Sequence, residues 1–116
     1  MISSKLTCRL AASLTGLVLM GVVPMAVAGP GKSVFEQTCI ACHGPDGKGV
    51  LPGVPDFTDK GGPLSQPEEV LVQNVLNGFQ SPGSPMAMPP KGGNADLTEA
   101  DVVEVVKYMR DAFAPR

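Results

Sequence analysis

The chain has 116 residues, a formal net charge of −2, three cysteines, five aromatic residues and no Trp. That length suits one domain, and the mildly acidic balance argues against nucleic-acid binding, which wants a basic face. So few aromatics also leave a small core short of apolar bulk.

The first 28 residues are unlike the rest. Lys5 and Arg9 supply a positive start, Leu10 to Val23 is an uncharged apolar run, Pro24 breaks it, and Ala26-Val27-Ala28 has the small-x-small cleavage pattern. This reads as a secretory signal peptide over residues 1–28, leaving one domain at 29–116. The run falls short of the roughly 20 apolar residues of a bilayer span, so no membrane span is expected in the mature form. Cys8 precedes the run and is misplaced for a lipid-bearing cysteine. Cleavage leaves 88 residues with 7 Lys/Arg against 11 Asp/Glu, a formal net charge of −4, and two cysteines. A domain that small usually needs a disulfide, a metal or a similar aid.

After Gly29-Pro30-Gly31, residues 32–42 read as a helix, with Phe35, Cys39 and Cys42 on one stripe. Ser33 and Glu36 suggest a capping box at its start, with a start as early as Gly31 as the alternative. Gly44-Pro45-Asp46-Gly47-Lys48-Gly49 ends it, and the stretch to Pro63 reads as a long irregular loop, uncommon unless it wraps something. Ser65 as N-cap with Glu68 predicts a second helix to Asn77, with Leu71, Val75 and Leu76 inward, stopped by Gly78. Phe79 to Asp96 holds four prolines and three glycines, and no regular element is expected there. Thr98 then caps a last helix, with Glu99 and Asp101 in its first turn. Val102, Val106, Met109 and Phe113 form one row and Val105 with Tyr108 the next. The expectation is an all-α fold of three or more short helices joined by long Gly/Pro-rich loops.

Within the first helix, Cys39-Ile40-Ala41-Cys42-His43 is the attachment pattern of a c-type haem. Positions i, i+3 and i+4 share a helix face, so two thiols can reach one porphyrin while His43 points at its iron. A zinc site needs four protein ligands, and His43 is the sole histidine. A thioredoxin-type dithiol wants a βαβ context. A structural disulfide explains neither the adjacent histidine nor the export signal. One covalent haem c serves better, and it also supplies the missing apolar bulk.

With His43 used, the second axial ligand within the chain is sought among methionines, and Met/His ligation raises the haem potential. Met109 lies on the apolar stripe of the last helix and reads as core. Met86 and Met88 share the loop Ser84-Pro85-Met86-Ala87-Met88-Pro89-Pro90, and periodicity does not separate them. Stiffness favours Met88, because Pro89 restricts it to extended conformations; Met86 remains the alternative.

These residues resemble the small monohaem class I c-type cytochromes of bacteria along nearly the whole mature chain. The resemblance runs through Gly31, Phe35, the Cys39–His43 motif, the Gly44–Gly49 loop, Pro55-Asp56-Phe57, Met88-Pro89-Pro90-Lys91-Gly92-Gly93, Val105 and Tyr108-Met109. The Met88 run looks most like the short c-five branch, without the cysteine pair its members often carry after that loop. The resemblance implies the class I cytochrome c fold, helices wrapped around one haem. It implies that Gly31 and Phe35 cross Val105 and Tyr108, that the Pro55 carbonyl accepts the His43 ring N–H, and that Met88 is the distal ligand.

The function expected is a soluble periplasmic one-electron carrier, not an enzyme, shuttling electrons between redox proteins through transient docking, as a monomer. The rival is a haem enzyme or a gas- or peroxide-reactive protein with a displaceable Met; a third reading is a small redox subunit of an exported enzyme. Met86, Ala87 and Pro89-Pro90 suggest an apolar patch with a charged rim, and the acidic balance suggests basic docking faces weakened by salt. Lys60, Gln73 and Lys91 are candidate holders of the haem propionates.

Overall fold

Pro30 opens the first helix, at a position where its missing N–H costs nothing. In the computed structural model, which describes residues 29–116, helix α1 covers Pro30–Val34, a π-helical turn covers Phe35–Cys39, and α2 covers Ile40–His43 without a break. The expected signal segment lies outside the described residues. The capping box of Ser33 and Glu36 does not form. The helix starts earlier, at Pro30, behind a Gly29 N-cap without a side-chain bond. Ser33 Oγ instead accepts from Gln37 Nε2 at 2.7 Å.

After α2 the chain turns through residues 44–62 without a helix, makes a 3₁₀ turn at Pro63–Ser65, and enters α3 over Glu68–Asn77. Ser65 is not the N-cap of α3. Pro67 takes that place with extended backbone, no side chain caps it, and the Ser65 hydroxyl donates to the Gly62 carbonyl at 2.6 Å. Gly78 stops the helix at φ +79°. The segment after it is more ordered than expected: Phe79 and Met88 pair in an antiparallel bridge, and Pro90–Gly93 forms a tight turn with Lys91 and Gly92 in the left-handed region. Helix α4 covers Glu99–Phe113. Its capping box is complete, with the Thr98 hydroxyl accepting from the Asp101 amide and the Asp101 carboxylate accepting from the Thr98 amide.

The core lies where α4 crosses α1 and packs along α3. Val102, Val105 and Val106 are fully buried, with Phe35, Leu71, Val72, Val75 and Met109 around them. Leu76 is only partly buried, and Val72 takes the inward place beside Leu71. At the crossing, a Cβ added to Gly31 would stand 2.1 Å from the Glu104 carbonyl oxygen. Only a glycine lets the two backbones approach that closely. Phe35 packs on Tyr108 and Phe113 with ring centroids 5.5 and 5.2 Å apart, and Phe113 reaches Phe57 at 6.3 Å. Four of the five aromatic residues thus form one cluster; Phe79 stands apart and is exposed. Among the described residues there is no strand and no helix long and apolar enough to cross a membrane. The helices with their long irregular connections give an all-α fold.

Candidate haem site

Between α2, α3, α4 and the loops lies a cavity of about 550 Å³, a size typical of sites for compact organic ligands. Cys39, Cys42 and His43 line it, together with Pro55, Phe57, Leu64, Leu71, Val75, Val105 and Met109 and the loop residues Met86, Ala87 and Met88. No Asp, Glu, Lys or Arg lines it. The wall bearing the motif is held by backbone bonds: the Val50 and Gly49 amides donate to the Cys42 and His43 carbonyls, both at 2.9 Å. These bonds satisfy carbonyls left open at the end of α2 and bring the loop back over the motif.

Both thiols are free, Cys39 buried and Cys42 half-buried. Burial above all, with the Cys42 thiol adding to it, pushes the Cys39 thiol up to about 11, so it rests protonated. His43 is buried, and desolvation holds its pKa below the ordinary imidazole value. The ring is therefore neutral at pH 7, the form that ligates a metal. It stacks on Phe57, centroids 4.5 Å apart and planes 18° from parallel. His43 Nδ1 is buried without any hydrogen-bond partner. Pro55 lines the same cavity, but no bond joins its carbonyl to that nitrogen.

The two loop methionines differ in how they are held. Met88 exchanges two backbone bonds with Phe79, at 2.8 and 3.1 Å, and its side chain packs against the core. Behind this pair, a Cβ on Gly78 would fall 2.8 Å from the Met88 carbonyl oxygen. Met86 is 40 % exposed and its amide meets only the Ser84 hydroxyl, at 3.3 Å. The loop is also tied to the motif helix. Asn94 Nδ2 donates to Thr38 Oγ1 at 3.3 Å, and Gly92 lies against the Thr38 methyl.

Some of these contributors carry no signal in the sequence. Nothing in the local pattern marks Phe79 as the partner of Met88, because the Pro/Gly-rich loop between them has no strand alternation, or Thr38 as the anchor of Asn94, which lies in a distant part of the chain. Lys60, Gln73 and Lys91 are not on the cavity wall. The polar side chains there are Thr38, Ser65, Gln66, Asn74 and Ser81, apart from the motif. Helix periodicity places Asn74 three positions after the inward Leu71, on the same face of α3.

The site fits a covalent haem on its own geometry. Two free thiols, a neutral imidazole with an orphaned ring nitrogen and a thioether-bearing loop converge on one uncharged cavity that borders the core. Among the described residues no group of three or more His, Cys, Asp or Glu is placed to hold a bare metal ion. Comparison with known proteins agrees. The family described as cytochrome C oxidase, cbb3-type, subunit III matches residues 26–109. The chain is 35 % identical over 85 residues to cytochrome c-555 of Chlorobaculum tepidum, covering 71 % of this chain and 73 % of that one. It is 34 % identical to cytochrome c-555 of Chlorobaculum thiosulfatiphilum, covering 71 % and 92 %, and 32 % identical to cytochrome c-551 of Stutzerimonas stutzeri, covering 64 % and 74 %. The chain belongs to the cytochrome c family, electron-transfer proteins with covalently bound haem c.

Proposed function

We propose that residues 29–116 form a soluble periplasmic one-electron carrier, with haem c joined through Cys39 and Cys42 and ligated by His43 and Met88. The observation that carries this reading is the shared cavity of the motif and the backbone-pinned Met88. Bound haem c supplies reversible exchange between the ferric and ferrous states. The chain's own residues do the rest. His43, kept neutral by burial, offers a lone pair without first losing a proton. Its Nδ1–H needs an acceptor to hold the ring's orientation, and Pro55 is the candidate on the same wall. The Phe79–Met88 bridge holds the thioether's backbone in place, so little further ordering is required of it. Leu64, Leu71, Val75 and Val105 exclude water from this apolar wall.

Export follows from the reading of residues 1–28 as a signal peptide cleaved after Ala28; the mature protein is expected to begin at Gly29, which N-terminal sequencing checks. The Met88–Gly93 run supports placement near the short c-five branch, and a monomer is the proposed state. A small redox subunit of an exported enzyme is the second reading, favoured by the oxidase-subunit family that the chain matches. Co-purification with a larger exported complex would decide for it.

The test of the ligand set is spectroscopic. Oxidised protein is expected to show the weak far-red methionine–iron(III) band, lost in Met88→Ala and retained in Met86→Ala. Absence of the band in the unaltered protein, with carbon monoxide binding to its reduced form, sinks the carrier reading in favour of a reactive haem.

A further inference from the structure

Helices α2, α3 and α4 each run out into irregular chain, and their ends are closed differently. The Gly44 amide after α2 donates to the Ile40 carbonyl at 2.8 Å, and the Ala114 amide after α4 to the Arg110 carbonyl at 3.2 Å. The Gly78 amide after α3 makes no well-formed hydrogen bond among the described residues. Gly78 stands at φ +79° and ψ 162°, a region open essentially to glycine alone. Packing demands glycine there too, since an added Cβ would fall 2.8 Å from the Met88 carbonyl oxygen and 3.0 Å from the Pro90 ring. The residue after Asn77 therefore has an amide nitrogen that is neither engaged nor shielded by a side chain.

Asn77 is exposed at the last position of α3. Its Nδ2 donates to the Gln73 carbonyl and to Gln73 Oε1, both at 3.0 Å. These bonds restrain the side chain, but both run to one exposed residue, in the terminal turn where helices fray. Once they open, the side-chain amide carbon is free to meet the Gly78 nitrogen.

We infer that Asn77 is a site of spontaneous deamidation whose isoaspartate product loosens the hold on Met88. The Gly78 nitrogen attacks Cγ of Asn77 and gives up its proton, ammonia leaves with Nδ2, and a cyclic imide forms. Water then opens the ring. Cleavage of the Cγ–N bond gives aspartate; cleavage of the bond to the backbone carbonyl carbon gives isoaspartate. One water is consumed and one ammonia released, with nothing oxidised or reduced. Isoaspartate lengthens the main chain by a carbon directly before Gly78, which is packed on Met88 and precedes the Phe79–Met88 bonds of 2.8 and 3.1 Å. Aspartate leaves the chain path unaltered and adds only a negative charge at the helix C-terminus, where the dipole disfavours it. The glycine that Met88 requires is thus also what makes Asn77 reactive. Only the consequence for the ligand rests on the reading of Met88 as the distal ligand; the chemistry at Asn77 does not.

Ageing of the haem-loaded protein at mildly alkaline pH, followed by peptide mapping with mass spectrometry, tests this against the chain's other asparagines. Asn77 is expected to convert several times faster than Asn74, which precedes Val75 inside α3, or Asn94, whose side chain is bonded to Thr38. Gln73→Ala removes the bond to Oε1 and should speed the conversion by roughly two- to tenfold, the factor that one hydrogen bond represents. The isoaspartate form, separated by ion exchange, should lose its far-red band at a lower temperature than fresh protein, with helical circular dichroism displaced less. Asn77→Asp, which carries the charge without the added carbon, should hold its band as fresh protein does. An Asn77 that keeps its amide in both wild type and Gln73→Ala overturns the inference. So does an isoaspartate form whose band is as heat-stable as that of fresh protein, or an equal loss in Asn77→Asp, which would assign the effect to charge. Fresh protein without the band instead defeats the Met88 reading, while the peptide map still decides the chemistry at Asn77.

Discussion

Thr38 stands one position before Cys39 and receives the Asn94 side chain across the site at 3.3 Å. It thereby joins the motif helix to the far end of the Met88 loop. Its methyl also lies against Gly92, which would leave only 3.0 Å to an added Cβ. Thr38→Val keeps the side chain's shape and removes the hydrogen bond, worth about 0.5–1.5 kcal/mol. On heating the oxidised protein, the far-red band of the variant should vanish at a lower temperature than in wild type, with the loss of helical circular dichroism displaced less. Equal displacement of both signals would reduce Thr38 to a packing residue. Met88 and Met86 show why the residue scale needs the fold. Proline stiffness in the sequence favours Met88, and the structure adds a reason of another kind, its paired backbone with Phe79.

Helix α4 is the element that the others pack on, and its start is secured by the reciprocal Thr98–Asp101 box. Removing the cap with Thr98→Ala should cost about 1 kcal/mol, seen as a lower midpoint in urea denaturation of the haem-loaded protein. The same box makes this helix end sensitive to acid. The Thr98 hydroxyl, and after it the Thr98 amide, hold the Asp101 carboxyl below its ordinary value of 3.8. The unfolded chain therefore binds that proton more readily than the folded one. The stabilisation is fully present above pH 3.8 or so and is lost as pH falls through the depressed native value. Asp101→Asn should accordingly be less stable than wild type at pH 7, with the gap narrowing as the pH is lowered through this window. A gap constant down to pH 2 would show that the charge of Asp101 does not matter to the cap. The other helix starts do not follow this pattern: Gly29 and Pro67 cap α1 and α3 without side-chain bonds, and α3 instead receives Arg110 of α4, whose guanidinium donates to the Gln66 carbonyl at 3.2 Å.

At the scale of the molecule, the cavity shares its inner wall with the core. Leu71, Val75, Val105 and Met109 are core residues and cavity wall at once. The 88 residues of 29–116 are few for a domain to reach sufficient buried area without a further core element. Cys39→Ala combined with Cys42→Ala should therefore give a chain with much reduced helical circular dichroism and no cooperative urea transition. A cooperatively folded double variant without haem would mean that the polypeptide alone supplies the stability.

The haem motif, the last helix with its Thr98 cap, the Gly78 stop and the helical class were legible from local pattern, because spacing and capping act over a few residues. The cofactor was legible for the same reason: Cys39, Cys42 and His43 are neighbours in sequence. The caps suggested at Ser33 and Ser65 do not form, since a capping signal only competes with alternatives such as the early Pro30 start and the 3₁₀ turn before Pro67. The Phe79–Met88 bridge and the Thr38–Asn94 link are decisions of tertiary structure alone. The first closes a short Pro/Gly-rich loop that carries no strand pattern and the second joins segments far apart in the chain, so both depend on how the chain closes and not on a local preference.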